Sequence, residues 1–159
     1  MIYQEIEITN KSEVPRTGSY LAIYPNGTKI WYFNGRYHRD NGPALDDISG
    51  FKIWFINGFR HRVNEPAIEC SDGSKGWLVN GKFHRTNGPA YDMGNGYKAW
   101  HIHGKRHRID GPAMEWSTED GGADEWWIDH KRYSEEEWLI ERELWIQKEL
   151  KDKLKEQII

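Results

Sequence analysis

Between residues 20 and 133 the apolar positions fall in short runs that alternate with polar ones, and the runs break at Asn-Gly pairs or at prolines. Aromatic and β-branched residues flank Asn34-Gly35, Asn57-Gly58 and Asn80-Gly81. That pattern predicts two-residue β-hairpins of type I′, whose two central residues both need positive φ. His103-Gly104 is a weaker version of the same turn. Counting outward from the first turn pairs Phe33 with Arg36, Tyr32 with Tyr37 and Trp31 with His38. The later copies follow, with Trp54 opposite His61, Trp77 opposite His84 and Trp100 opposite His107. From Ser134 the spacing changes. Ile146, Leu150, Leu154 and Ile158 recur every four residues, Trp138, Leu139 and Trp145 widen the stripe, and Ser134 with Glu137 has capping-box spacing. This predicts an amphipathic helix over 134–159 that caps the last sheet edge, with dimerisation or partner binding as a second use.

The hairpins recur with a strict period. Trp31, Trp54, Trp77 and Trp100 are 23 residues apart. Counted from each Trp, Gly lies at +4, His at +7 (His38, His61, His84, His107) and Arg at +8 (Arg39, Arg62, Arg85, Arg108). Pro follows at +12, Ala at +13 and an acid at +15 (Asp46, Glu69, Asp92, Glu115). A degenerate fifth copy begins at Trp126, and "EIEIT" near the N-terminus reads as an opening strand. A unit of this size cannot bury its apolar face alone, so the copies must stack side by side. The predicted fold is mainly β: a curved antiparallel meander of about five hairpin repeats with a C-terminal helical cap, over 1–19, 20–133 and 134–159 of a single domain.

The pattern G-x-x-x-W-x-x-N-G-x-x-H-R-x-x-G-P-A resembles MORN-type repeats, over about residues 20–133. It is most similar to the MORN-like variants of bacterial, phage and large-virus proteins, including an antitoxin-like group. The chain departs from the usual unit in two ways: Arg follows the His where Gly is usual, and the Trp-to-Gly spacing is one residue longer. The resemblance implies a binding or scaffolding module that is not an enzyme by virtue of the repeat, with phage–host or toxin–antitoxin conflict as its setting.

Composition narrows the chemistry. A formal net charge of −3 lacks the positive face that duplex DNA binding needs. Cys70 is the lone cysteine, which excludes an internal disulfide and points to a reducing, cytoplasmic setting, or the host cytoplasm for a viral protein. No apolar run reaches membrane-span length and no catalytic signature is present, so neither a catalytic residue nor a cofactor is expected. The +7 histidines should stand roughly 9–10 Å apart along a sheet, too far to share a metal ion. His101, His103 and His107 form a second, weak candidate for a metal. Trp31, Trp54, Trp77 and Trp100, with the +7 His and +8 Arg, therefore read as structural: His stacked on its cross-strand Trp, Arg on the opposite face pairing the +15 acid.

Recognition is assigned to the positions that vary between copies. These are Tyr32, Phe55, Leu78 and His101 at +1, and Tyr37, Arg60, Phe83 and Arg106 at +6. The expected partner is a protein. A small anionic nucleotide-type ligand and single-stranded nucleic acid, with bases stacked on aromatics, are the alternatives. Homo-oligomerisation through the helix is also open.

Overall fold

The computed structural model describes residues 1–117 and 121–156. It contains a large, mostly antiparallel sheet, a row of small hairpins and one C-terminal helix. The sheet begins with β1 (Gln4–Glu7), which runs parallel to β2 (Ser19–Ile23). β2 pairs antiparallel with β3 (Lys29–Phe33), and β3 extends into a hairpin with β4 (Arg36–Tyr37). Thereafter each repeat contributes two short strands. Residues just before the Trp (Lys52–Ile53, Lys75–Gly76, Lys98–Ala99) pair on one side with the +14 and +15 residues of the preceding repeat and on the other with their own.

Past Trp31 the hairpin continues β3 within the large sheet, and past Trp54, Trp77 and Trp100 the chain leaves that sheet to form the expected separate hairpins. Tyr32 faces Tyr37, Phe55 faces Arg60, Leu78 faces Phe83, His101 faces Arg106 and Trp127 faces Arg132. The +7 His N–H closes each of the first four on its Trp carbonyl, at 3.0–3.1 Å. Every turn has positive φ at both centres: Asn34-Gly35 at 49° and 70°, Asn57-Gly58 at 52° and 85°, Asn80-Gly81 at 50° and 78°. His103-Gly104 takes 50° and 84°, and Asp129-His130 takes 47° and 71°. The fifth turn thus holds a left-handed conformation without glycine, which costs roughly 1–2 kcal/mol per residue. It also fixes the fifth register, with Trp126 three residues later in the chain than the 23-residue period would place it.

The core runs along the stack. Ala44, Ala67, Ala90 and Ala113, all at +13, and Ala22 in β2 are wholly buried. Ile30, Ile53, Gly76 and Ala99 occupy the equivalent place before each Trp, and the shrinkage at Gly76 is compensated: a Cβ there would lie 3.3 Å from both Leu78 and Phe83. Volume is conserved between copies although residue identity is not. Tyr37 and Leu45 touch both principal core clusters and join the N-terminal cap to the repeats.

The helix α1 spans Glu135–Glu156. Its capping box forms as expected, with Ser134 N–H donating to Glu137 (2.9 Å) and Glu137 N–H donating to the Ser134 hydroxyl (3.2 Å). The face laid on the last hairpin differs from expectation. Trp138 is buried against Trp126, with ring centroids 4.6 Å apart, and its indole N–H donates to the Arg108 carbonyl at 3.1 Å. Trp145 packs edge-on to His107 at 5.0 Å. Leu139, Leu150 and Leu154 are exposed, since the two indoles already fill the space beside the hairpin. Ile158 and the last turn expected for the helix lie outside the described residues. No helix among the described residues is long and apolar enough to cross a membrane.

Candidate functional site

The edge where adjacent hairpins meet is built by the conserved-looking letters of the repeat. Each Arg guanidinium lies over the indole of its own Trp, with centroid distances of 3.8 Å (Arg39–Trp31), 4.0 Å (Arg62–Trp54), 3.9 Å (Arg85–Trp77) and 3.8 Å (Arg108–Trp100). Each also donates to the Pro carbonyl four residues on, at 3.0–3.2 Å. This corrects the expected side assignment. Strand pairing ends at +6, so alternation no longer governs +7 and +8, and Arg rather than His covers the Trp. A stacked guanidinium contributes about 0.5–2 kcal/mol by cation–π attraction.

The histidines turn instead to the next repeat. His38 Nδ1 accepts the Asn57 N–H (3.1 Å), His61 that of Asn80 (3.3 Å), His84 that of His103 (3.2 Å) and His107 that of Asp129 (3.2 Å). Two backbone bonds accompany each one. At the first junction these are Arg39 N–H to the Phe55 carbonyl (3.1 Å) and Gly58 N–H to the Tyr37 carbonyl (2.8 Å). Every hairpin is therefore sewn to the next by the same bonds, and the +7 His is a fastener. At His38 the Nε2 faces Asp40 at 3.0 Å while the Asn57 N–H points at Nδ1, an arrangement that fits a proton on Nε2 and a bare Nδ1.

At the third junction that role is acid-sensitive. Burial, and then the His103 ring stacked 4.2 Å away, lower the pKa of His84 below the ordinary histidine value. Burial lowers that of His101 by more than its backbone hydrogen bond at Ala99 raises it, and the Arg106 and His130 charges add smaller lowering effects. For both, the unfolded chain binds a proton first, so stability rises with pH across the window and is lost as pH falls from about 6.5 through the lower folded values. The urea midpoint should begin to drop as pH falls below about 6.5, before ordinary carboxylates titrate. A His84→Asn/His101→Asn variant should show a visibly flatter profile there; an unchanged slope would count against these two groups.

The Arg–acid ladder forms in two copies only. Arg62 pairs with Glu69 at 3.0 Å and with Glu65, and Arg108 pairs with Asp110 at 2.8 Å and with Glu115. Among the described residues Arg39 and Arg85 have no carboxylate within ion-pair distance. Their +15 acids are Asp46 and Asp92, one methylene shorter than Glu69 and Glu115. Burial lowers the Arg85 pKa, with Asp92 a partial and more distant counterweight.

The recognition residues expected at +1 are corrected by burial. Tyr32, Phe55 and Leu78 are core residues, and His101 is half-buried against Phe83. At +6, Tyr37 and Phe83 are half-buried in the same packing, Arg106 lies over Trp127 at 4.7 Å, and Arg60 is exposed. These positions vary because each copy fills the core in its own way. No group of three or more His, Cys, Asp or Glu among the described residues is placed to hold a metal ion.

What the junctions leave open is a series of clefts. Each is lined by positions +8 to +11 of one repeat and by the Trp, +2, His and Arg of the next. The first, of about 470 Å³, lies between Arg39, Asp40, Trp54, Ile56 and Val63. The second, about 320 Å³, lies between Arg62, Val63, Trp77, Val79 and Thr86. The third, about 830 Å³, lies between Arg85, Thr86, Trp100, Ile102 and Ile109, and is deepened by Asp129, Trp145 and Glu149. The +9 residues (Asp40, Val63, Thr86, Ile109) vary as freely as +1 and +6. Sequence variation thus contained this signal too, but gave no means of telling a cleft position from a core one.

Comparison with models of known protein families, with curated proteins and with solved structures finds no match to this chain.

Proposed function

We propose that this chain is a non-catalytic binding module whose clefted edge holds an extended segment of a protein partner. The supporting observation is the repetition of the clefts, one at each of the first three junctions, each with an apolar wall at +2, a variable +9 side chain and a guanidinium donor. Equivalent positions stand two strands apart in the sheet, roughly 9–10 Å, which about three residues of extended chain would span. One side chain of the partner would enter each cleft, and Arg85, stacked on Trp77 and without a carboxylate of its own, would take an acidic one.

Charge separates this reading from the small-ligand one. The largest cleft joins Arg85 and Arg108 to Asp110, Asp129 and Glu149, a mixture that suits polypeptide and repels a polyanionic nucleotide. Burial of Tyr32 and Phe55 takes away aromatic rings on which single-stranded nucleic acid would stack. The resemblance to MORN-like repeats supports an inhibitory or scaffolding role in phage–host or toxin–antitoxin conflict.

The test is affinity capture on the immobilised full chain beside a Val63→Asp/Arg85→Glu/Ile109→Asp variant, all three being cleft positions outside the buried core. A stoichiometric protein retained by the native chain and weakened about tenfold or more by the variant is expected. Equal retention by both, or a thermal shift with nucleotides and no retained protein, would replace this reading.

A further inference from the structure

The helix that fastens the last hairpin carries a second, outward face with an internal symmetry. Gln147 lies nine residues after Trp138, two and a half turns, so it points directly away from the sheet-bound indole. Leu144 and Leu150 lie three residues to either side of Gln147, and Ile140 and Leu154 lie seven. All four are well exposed: Ile140 66%, Leu144 56%, Leu150 56% and Leu154 59%. At four residues to either side stand opposite charges, Glu143 and Lys151. Lys153 lies as far after Gln147 as Glu141 lies before it, and the whole helix is biased the same way, acidic in its first turn (Glu135, Glu136, Glu137) and basic in its last (Lys153, Lys155).

We propose that a second copy of this chain covers this stripe, as an antiparallel helix pair whose two-fold axis passes at Gln147. The axis carries each residue before Gln147 onto the residue equally far after it. Ile140 then meets Leu154 of the second copy, Leu144 meets Leu150, and Glu143 meets Lys151, each twice over. Such a self-complementary patch is what a two-fold interface requires. A parallel pair would set Glu143 on Glu143 and Lys151 on Lys151 and align the helix dipoles head to head, whereas the antiparallel pair opposes them. The Gln147 amide, with both donor and acceptor, meets its own copy at the centre and fixes the register at some cost in stability. The stripe is separate from the clefts, which take Trp145 and Glu149 from the sheet side of the helix.

Sedimentation equilibrium of the full chain, from micromolar to sub-millimolar concentration, tests this. The native chain should show a reversible dimer, and Leu144→Glu/Leu150→Glu should be monomeric with its helical circular dichroism retained. Glu143→Lys and Lys151→Glu should each weaken the dimer about tenfold at low salt, and together restore it. In a Cys70→Ser background, Gln147→Cys should cross-link between copies, and Ile140→Cys should not. A monomeric native chain, a dimer unaffected by the leucine pair, failure of the double charge reversal to rescue, or cross-linking through Ile140→Cys would each overturn the antiparallel pair.

Discussion

Replacing Tyr32 with alanine is expected to cost about 3–5 kcal/mol, the range for removing a large buried ring, and to lower the urea midpoint more than any other +1 or +6 substitution. Tyr32 is the one large side chain among the described residues with essentially no exposure. Its ring sits 5.1 Å from that of Tyr37, which in turn sits 5.1 Å from Phe55, and its hydroxyl lies 3.3 Å from that of Tyr24. Burial, reinforced by those tyrosines, pushes its phenol pKa up, so the hydroxyl stays protonated at any working pH. Tyr32 therefore joins the N-terminal cap, β3 and the first hairpin at one point. Tyr32→Phe keeps the ring and should cost only about 1 kcal/mol, the net worth of one hydrogen bond. If Tyr32→Ala unfolds no more easily than Tyr37→Ala, the burial argument is wrong.

The second large effect is expected at Trp138. Trp138→Ala should cost about 3–5 kcal/mol locally and free α1 from the sheet. The variant loses the ring contact with Trp126 and the donor to the Arg108 carbonyl and leaves Trp145 on His107 as the helix's remaining aromatic contact with the hairpins, since Leu139, Ile140 and Leu144 are exposed. Hydrogen exchange separates the two consequences. Helix amides should lose protection while amides of the first three repeats keep theirs, because those repeats touch neither Trp138 nor Trp126. Uniform loss of protection through the whole sheet would mean that the helix is a cooperative part of the array and not a cap on its end.

Local chemistry made the hairpins readable from the sequence. Asn-Gly can satisfy positive φ at two successive positions, so the turn, its pairing and its recurrence all followed from counting. The fifth copy followed too, although Asp129-His130 keeps the turn without glycine. Side-chain direction past the end of pairing was not readable. Period-two alternation holds as far as Tyr37, Arg60, Phe83 and Arg106, and His and Arg beyond them are placed by where their hydrogen-bond partners lie: the next turn for His, the Pro carbonyl for Arg. Variation was ambiguous for a related reason. Tyr32, Phe55, Leu78 and His101 change between copies because core volume is shared with Gly76, Ala99 and Phe83, whereas Asp40, Val63, Thr86 and Ile109 change at an open cleft. Composition by position could not separate these causes; burial does. The helix was legible as amphipathic, yet which stripe faces the sheet depended on the two indoles outcompeting leucines for one space.

The identical junctions have a further consequence. Since the same three bonds and the same alanine recur at every step, the chain from Trp54 to Gly76 is interchangeable in outline with the next 23 residues, and its removal would bring Trp77 into the seat of Trp54. The protein is in this sense a ruler with equal divisions. The length of its clefted edge is set by how many units the chain carries, and can be extended or shortened by whole units without redesigning either end.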